Sequence, residues 1–136
     1  MAVNRSKAIF DRFVPQIGIV PPTELIAALL GEIAGLFRIE RVAYWRMEDD
    51  FSAIQQQIQF LHSHGACEPS ASTRLSARDF PGYFAALREP SGVIVSHDVM
   101  TDLRLVEFQQ TYFKPLGITS MLDVPVHRAG QLYGVI

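Results

Sequence analysis

The sequence predicts an α+β domain, a mainly antiparallel sheet of about five to six strands with helices on both faces. Three observations carry that expectation. Apolar periodicity along the chain runs helix, strand, strand, helix, strand, helix, strand, strand. The last segments, 120–127 (SMLDVPVH) and 131–136 (QLYGVI), flank Arg128-Ala129-Gly130, a short loop whose late glycine suits the positive φ of tight hairpins. Finally, 49% of the 136 residues are hydrophobic and 19% charged, so one chain of this length buries a core.

The elements follow in order. Residues 4–14 form a short helix with Ile9, Phe10, Phe13 and Val14 on one side, stopped by Pro15. Pro21-Pro22 opens the strongest helix, because a missing N–H costs nothing in a first turn. Leu25, Ile26, Leu29, Leu30, Ile33, Leu36 and Phe37 give it a wide apolar stripe. Gly31 and Gly35 weaken it by roughly 1 kcal/mol each and leave a groove, read as close packing on its own sheet in preference to a dimer seam.

Strand one, 41–48 (RVAYWRME), has Val42, Tyr44 and Arg46 on one face and Ala43, Trp45 and Met47 on the other, so both faces read as covered. Glu48-Asp49-Asp50 is a solvated turn. Strand two, 54–62, alternates Ile54, Ile58 and Phe60 with Gln55, Gln57 and Gln59, one wetter side. Residues 63–77 are polar and read as a loop. A helix at 77–88 is entered through Asp79-Phe80-Pro81, and 93–96 is a short buried strand. A helix at about 102–113, capped by Thr101 or Asp102, is closed by Pro115 and Gly117. Pro125 lies inside the hairpin's first strand, where the sheet must leave it unpaired or bulged.

Composition narrows the function. A net charge of −2 gives phosphate backbones nothing to hold. The most apolar run, 25–37, is interrupted by Gly31, Glu32 and Gly35 and falls short of the ~20 residues of a membrane span. The first ten residues, MAVNRSKAIF, have neither an apolar h-region nor a small-residue cleavage site and do not read as a signal peptide. Cys67 is the only cysteine, which excludes an internal disulfide and fits a reducing, cytoplasmic compartment.

An ordered set of motifs then resembles the GAF domain, the small-ligand sensory fold related to PAS domains. The set comprises the leading helix with RVAYWRME, ARDFPGYFAAL at 77–87 (similar to the family's Pro-x-Tyr-x-x-x-Leu helix), and VIVSHD at 93–98 running into TDLR at 101–104. It ends with Tyr112-Phe113, LGITSMLDVPV at 116–126, Gly130 and GVI at 134–136. The chain looks most like GAF domains of bacterial sensor histidine kinases and diguanylate cyclases. On that resemblance, 1–20 is an N-terminal helix and linker and 21–136 the GAF domain. Its last strand is expected to run on past Ile136 to a C-terminal helix in a longer protein.

The resemblance implies a regulatory, non-enzymatic module that binds a small ligand and relays a change to an output domain, as a homodimer through its N-terminal helices. The alternatives are a dimerisation module with a collapsed pocket and, less favoured, a free-standing GAF enzyme. The pocket is expected between one sheet face and segments 76–87 and 95–113. Tyr44, Arg46, Tyr83, Phe84, His97, Asp98 and Phe108 are its candidate lining, although Phe80, Phe84, Tyr112 and Phe113 read as core in preference to recognition residues. A buried Arg46 would need an anion, whereas at a strand end it snorkels to solvent, the preferred reading of that residue alone. His97 is the one candidate haem ligand.

The ligand itself is not indicated. The Asn-Lys-x-Phe-x-Asp-Glu signature of cyclic-nucleotide-binding members is absent. The Cys-His pair by which bilin-binding members attach their chromophore is missing from 108–112. His62, His64 and Cys67 have metal-ligand character, but a polar loop without a fourth partner favours a solvated cluster over a metal site. Cys67 beside those histidines lacks the orienting acid and oxyanion hole of a nucleophile, so no catalytic residue is assigned.

Overall fold

Prolines and left-handed residues set the helix ends. A computed structural model describes residues 2–69 and 73–136. Helix α1 (Ala2–Phe13) runs into a 3₁₀ turn at Val14–Gln16 that contains Pro15. Helix α2 (Pro22–Phe37) begins on proline and ends where Arg38 turns left-handed, its N–H bonding the Ala34 carbonyl. Strands β1 (Arg41–Met47) and β2 (Ala53–Leu61) follow, then β3 (Ala66–Pro69) and β4 (Arg74–Ser76). Helix α3 (Pro81–Leu87) also opens on proline and precedes β5 (Ile94–Ser96). A helical run changes pitch from 3₁₀ (Leu103–Phe108) through π (Gln109–Phe113) to α4 (Lys114–Leu116). Strands β6 (Met121–Asp123), β7 (Pro125–Arg128) and β8 (Gln131–Val135) close the chain.

The main sheet has the order β3-β2-β1-β8-β7, with β4 also paired to β2; the pairs β1–β8, β2–β3, β2–β4 and β7–β8 are antiparallel. The chain divides into two compact units, residues 1–44 with 56–71 and residues 45–55 with 72–136. In the first, Phe13, Leu30, Ala34, Val42 and Leu61 are buried. A Cβ on Gly31 would stand 3.3 Å from the Phe60 ring, so this glycine lets α2 approach β2, while Gly35 faces open space. The alternation expected of β2 holds over its first half, with Ile54 and Gln56 buried and Gln55 and Gln57 exposed, whereas Ile58, Gln59 and Phe60 are all half-buried.

The expected loop at 63–77 contains two strands instead. Residues 66–69 pair with Ile58–Leu61, and 74–76 with Ala53–Gln55; 70–72 lie outside the described residues. Nothing in Ala66-Cys67-Glu68-Pro69 alternates. The nine-residue β2 supplies the pairing edge, and tertiary context overrides weak local propensity.

In the second unit, Trp45 and Arg46 pair with Val135 and Gly134. The hairpin turns through Ala129 (φ 51) and Gly130 (φ 77), the two positive φ values of a twist-matched two-residue loop. The stretch 120–127, expected as one strand, is two. Residues 121–123 pair with β5 in a separate two-stranded sheet, so neither β5 nor β6 joins the main one as expected; residues 125–128 pair with β8.

The split falls beside Pro125 for a geometric reason. Val124 and Ile136 exchange both backbone hydrogen bonds, at 2.7 and 3.0 Å. The next pair, Pro125 opposite Val135, is therefore a position whose N–H would point away from β8. On an edge strand the missing donor costs no ladder bond. The irregularity comes one step later, between Val126 and His127.

Gly92 holds this junction to the end of α3. Its φ is +62°, and a Cβ there would lie 2.7 Å from the Leu87 carbonyl oxygen and 2.9 Å from Pro125 Cγ. Gly92→Ala combines backbone strain with a clash against backbone, so urea denaturation should show a loss of at least about 2 kcal/mol. An unchanged midpoint and slope would refute the contact.

Candidate functional site

Two features of the second unit bear on function, an aromatic centre and a groove. Proline at the first turn of α3 places Tyr83, Phe84 and Leu87 on its buried side. The helix is shorter than expected because 77–80 form a turn, with the Asp79 N–H donating to Ser76 Oγ at 3.1 Å. Glu107 Oε1 accepts from the Gly82 N–H at 3.1 Å, satisfying one donor of the first turn of α3 from a distant segment.

Across from α3, Asp102 caps the 3₁₀ run by accepting from the Arg104 N–H at 3.0 Å. The Arg104 guanidinium meets the same carboxylate at 3.0 and 2.6 Å and donates to the Val95 carbonyl at 2.8 Å, tying the run to β5. That guanidinium holds the Asp102 carboxyl well below the usual range.

The π turn explains how the run fills the centre. In an α-helix, residues five apart diverge by about 140°. The wider turn, closed by the Lys114 N–H on the Gln109 carbonyl, lets Phe108 and Phe113 share one side with centroids 5.4 Å apart. Phe80 stacks on Phe108 at 4.1 Å, and Tyr83 meets Phe108 edge-on at 5.2 Å.

One polar bond enters this centre from β6. The Tyr83 hydroxyl donates to Asp123 Oδ2 at 2.5 Å. Burial pushes the Asp123 carboxyl up to about 6, against the lowering effect of that bond. The same burial, with the neighbouring carboxylate, raises the Tyr83 hydroxyl well above its ordinary value.

The sequence candidates separate on this map. Tyr83, Phe84 and Phe108 come together, at 3%, 1% and 3% exposure, packed ring against ring. Arg46 is exposed at a strand end, over the Tyr133 ring at 5.6 Å and 3.8 Å from Asp49 Oδ1. His97 and Asp98 are exposed, and Asp98 Oδ1 accepts from the Met100 N–H. Tyr44 is half-buried and belongs to the first unit. Asp123 was legible only as a lone carboxylate in an apolar strand.

The first unit holds the other chemistry-bearing residues. His62 and His64 lie in a 3₁₀ turn, His64 Nδ1 contacts Glu68 Oε1 at 2.5 Å, and Cys67 is on β3 with Sγ 3.7 Å from the Ala27 carbonyl. Burial pushes the Cys67 thiol up. Among the described residues, no three His, Cys, Asp or Glu side chains stand together as a metal site.

Outside the aromatic centre, the second unit leaves an open groove of about 360 Å³. Met47, Leu87 and Leu132 give it an apolar floor; Phe51, Arg88, Glu89, Pro90, His127 and Gly130 complete its lining. Met47 and Leu87 are otherwise buried, at 5% and 2% exposure. Phe51 takes φ 59, a left-handed conformation an aromatic residue rarely adopts, and its carbonyl accepts a long 3.4 Å bond from Arg88 Nη2.

The GAF domain family model matches residues 21–136, and the chain belongs to that family. Solved structures agree on the fold. The phycocyanobilin-bound GAF domain of a cyanobacterial phytochrome superposes with TM-score 0.73 at 19% identity, covering 95% of this chain and 76% of that one. The GAF domain of a phosphoenolpyruvate-protein phosphotransferase from Coxiella burnetii gives 0.69 at 14%, over 98% and 76%. The chromophore-binding domain of Stigmatella aurantiaca bacteriophytochrome gives 0.68 at 14%, over 98% and 50%. Among curated proteins, none matches the sequence significantly. No helix among the described residues is long and apolar enough to cross a membrane.

Asp123 makes stability depend on pH with a defined sign. Its folded-state value, about 6, lies above the ordinary 3.8, so folding binds a proton between them. The stabilisation is full below about pH 4 and is lost as pH rises through 6, with a slope of at most about 1.4 kcal/mol per unit. The lowered carboxyls of Glu48 and Asp102 act oppositely and at lower pH. Asp123→Asn retains an acceptor for Tyr83 and should remove the decline between pH 5 and 7.5. If wild type and variant show the same difference in unfolding free energy between those pH values, Asp123 is not the titrating group.

Proposed function

We propose that this GAF domain is a sensory module of a bacterial signalling protein, of the kind attached to a histidine kinase or diguanylate cyclase. It acts in the cytoplasm, holds a small molecule in the second unit and relays its presence to an output domain without catalysing a reaction. The observation that carries the ligand reading is the groove. The aromatic centre is occupied by its own rings, while the groove leaves about 360 Å³ open beside otherwise buried Met47 and Leu87, within the size range of small-ligand sites. Family membership supports it, as do structural neighbours described as bound to bilins. The raised thiol of Cys67 supports the non-enzymatic reading, because a nucleophilic cysteine needs a lowered one.

Native mass spectrometry of the chain purified without added ligand, with a visible spectrum of the same sample, tests this. A bound small-molecule mass, or one acquired from a metabolite extract, is the expected result. A chain that stays unliganded in both, while folded, overturns the sensory reading.

A second reading, a homodimerisation module, is favoured by a separate observation. In the first unit Phe10, Ile17, Ile19 and Phe37 are 65%, 67%, 81% and 59% exposed, a run of bare apolar side chains on and between α1 and α2 that suits burial in a partner. Light scattering should then report a dimer at micromolar concentration, and Phe10→Ser with Phe37→Ser a folded monomer. A monomeric wild type removes this reading.

A further inference from the structure

We infer that the groove at the end of α3 recognises a small zwitterion with an apolar body, such as a free apolar or aromatic amino acid. This rests on the sensory reading and names the ligand class for it. The floor of Met47, Leu87 and Leu132, with the Phe51 ring at the rim, offers apolar surface for a side chain. Arg88 and Glu89, consecutive exposed residues of opposite charge just past α3, both belong to the groove's lining.

Among the described residues neither charge is paired with an opposite one, and the only side-chain bond of Arg88 is the long one to the Phe51 carbonyl. A guanidinium has five N–H donors, so most remain for a carboxylate, which it meets in a two-bond geometry. Glu89 accepts from an ammonium.

The pairing of charges selects against simpler ligands. A plain carboxylate gains Arg88 and is repelled by Glu89; a plain amine meets the reverse. Only a ligand bearing both signs next to an apolar body satisfies both. The volume, about 360 Å³, is at the lower end of small-molecule sites, which suits a single amino acid or a very short peptide. Phe51 adds a conformational element. Its left-handed backbone is costly, and the carbonyl it positions is the one that accepts from Arg88.

The test titrates the ¹⁵N-labelled 136-residue chain by NMR with three probes: L-phenylalanine, 3-phenylpropanoate, which lacks the ammonium, and phenethylamine, which lacks the carboxylate. L-Phenylalanine should shift the amides of Leu87, Arg88, Glu89 and Leu132, and bind roughly five-fold or more tightly than either analogue, a ratio that exposed charge pairs can supply. Arg88→Gln should abolish the preference over phenethylamine, and Glu89→Gln that over 3-phenylpropanoate; their own spectra report that they fold. Equal binding of all three, shifts confined to other residues, or no shifts up to about 10 mM overturns the ligand class. The sensory reading falls separately, on the absence of any bound mass. A bound mass of other chemistry would sink the zwitterion alone.

Discussion

A hydrogen bond from Tyr83, buried in the aromatic cluster, to the half-buried Asp123 carboxylate on β6 is the constraint on which the second unit depends. Asp123 is held where burial disfavours its charge, and its partner, the Tyr83 hydroxyl, comes from α3 across the ring stack. A buried donor or acceptor without a partner costs about 1–3 kcal/mol, so α3 and β6 are fixed in the one arrangement that satisfies both. Two residues further on, Pro125 meets Gly92. The same short stretch thus ties to α3, to the turn after α3, to β5 through residues 121–123, and to β8 through residues 124–128.

Much of this fold was written in the sequence. Both long helices, the strands β1 and β2 and the closing hairpin follow from periodicity and from where proline and glycine fall. The Asp102 cap is a local signal and was legible as one. What escaped was non-local. Strands β3 and β4 exist because β2 offers an edge, and no pattern in their own residues announces it. The division of 120–127 depends on which neighbours each half finds, β5 for one and β8 for the other. A single apolar run cannot specify that.

The candidate site was legible in part, and for the same reason. Tyr83, Phe84 and Phe108 stand out as aromatic residues on helices, and they do converge. Sequence cannot tell whether converging rings enclose a cavity or fill it. Here a π turn, invisible to a 3.6-residue periodicity, rotates Phe113 onto the same side as Phe108, and the rings stack on one another. The groove residues gave no such signal. Arg88 read as the end of a helix and Glu89 as the start of the stop that follows it, and His127 as a loop-edge histidine after the hairpin strand.

The contrast between the two features argues where a ligand's influence would enter. The aromatic centre is filled by its own rings and tied by Tyr83 and Asp123, so α3 is packed with it as one body. The groove touches the last residues of that body, Leu87 to Pro90, together with Met47 at the end of β1 and Leu132 on β8. A molecule seated there contacts both strands at the β1–β8 pairing as well as the end of α3. Proteins respond to a ligand only by as much as its affinity differs between their states. A site bridging a helix end and two paired strands supplies such a difference whenever one moves against the other; a site enclosed within one rigid cluster does not. On that ground the sensory role we propose falls to the groove, rather than to the cluster of aromatic residues that the sequence makes conspicuous.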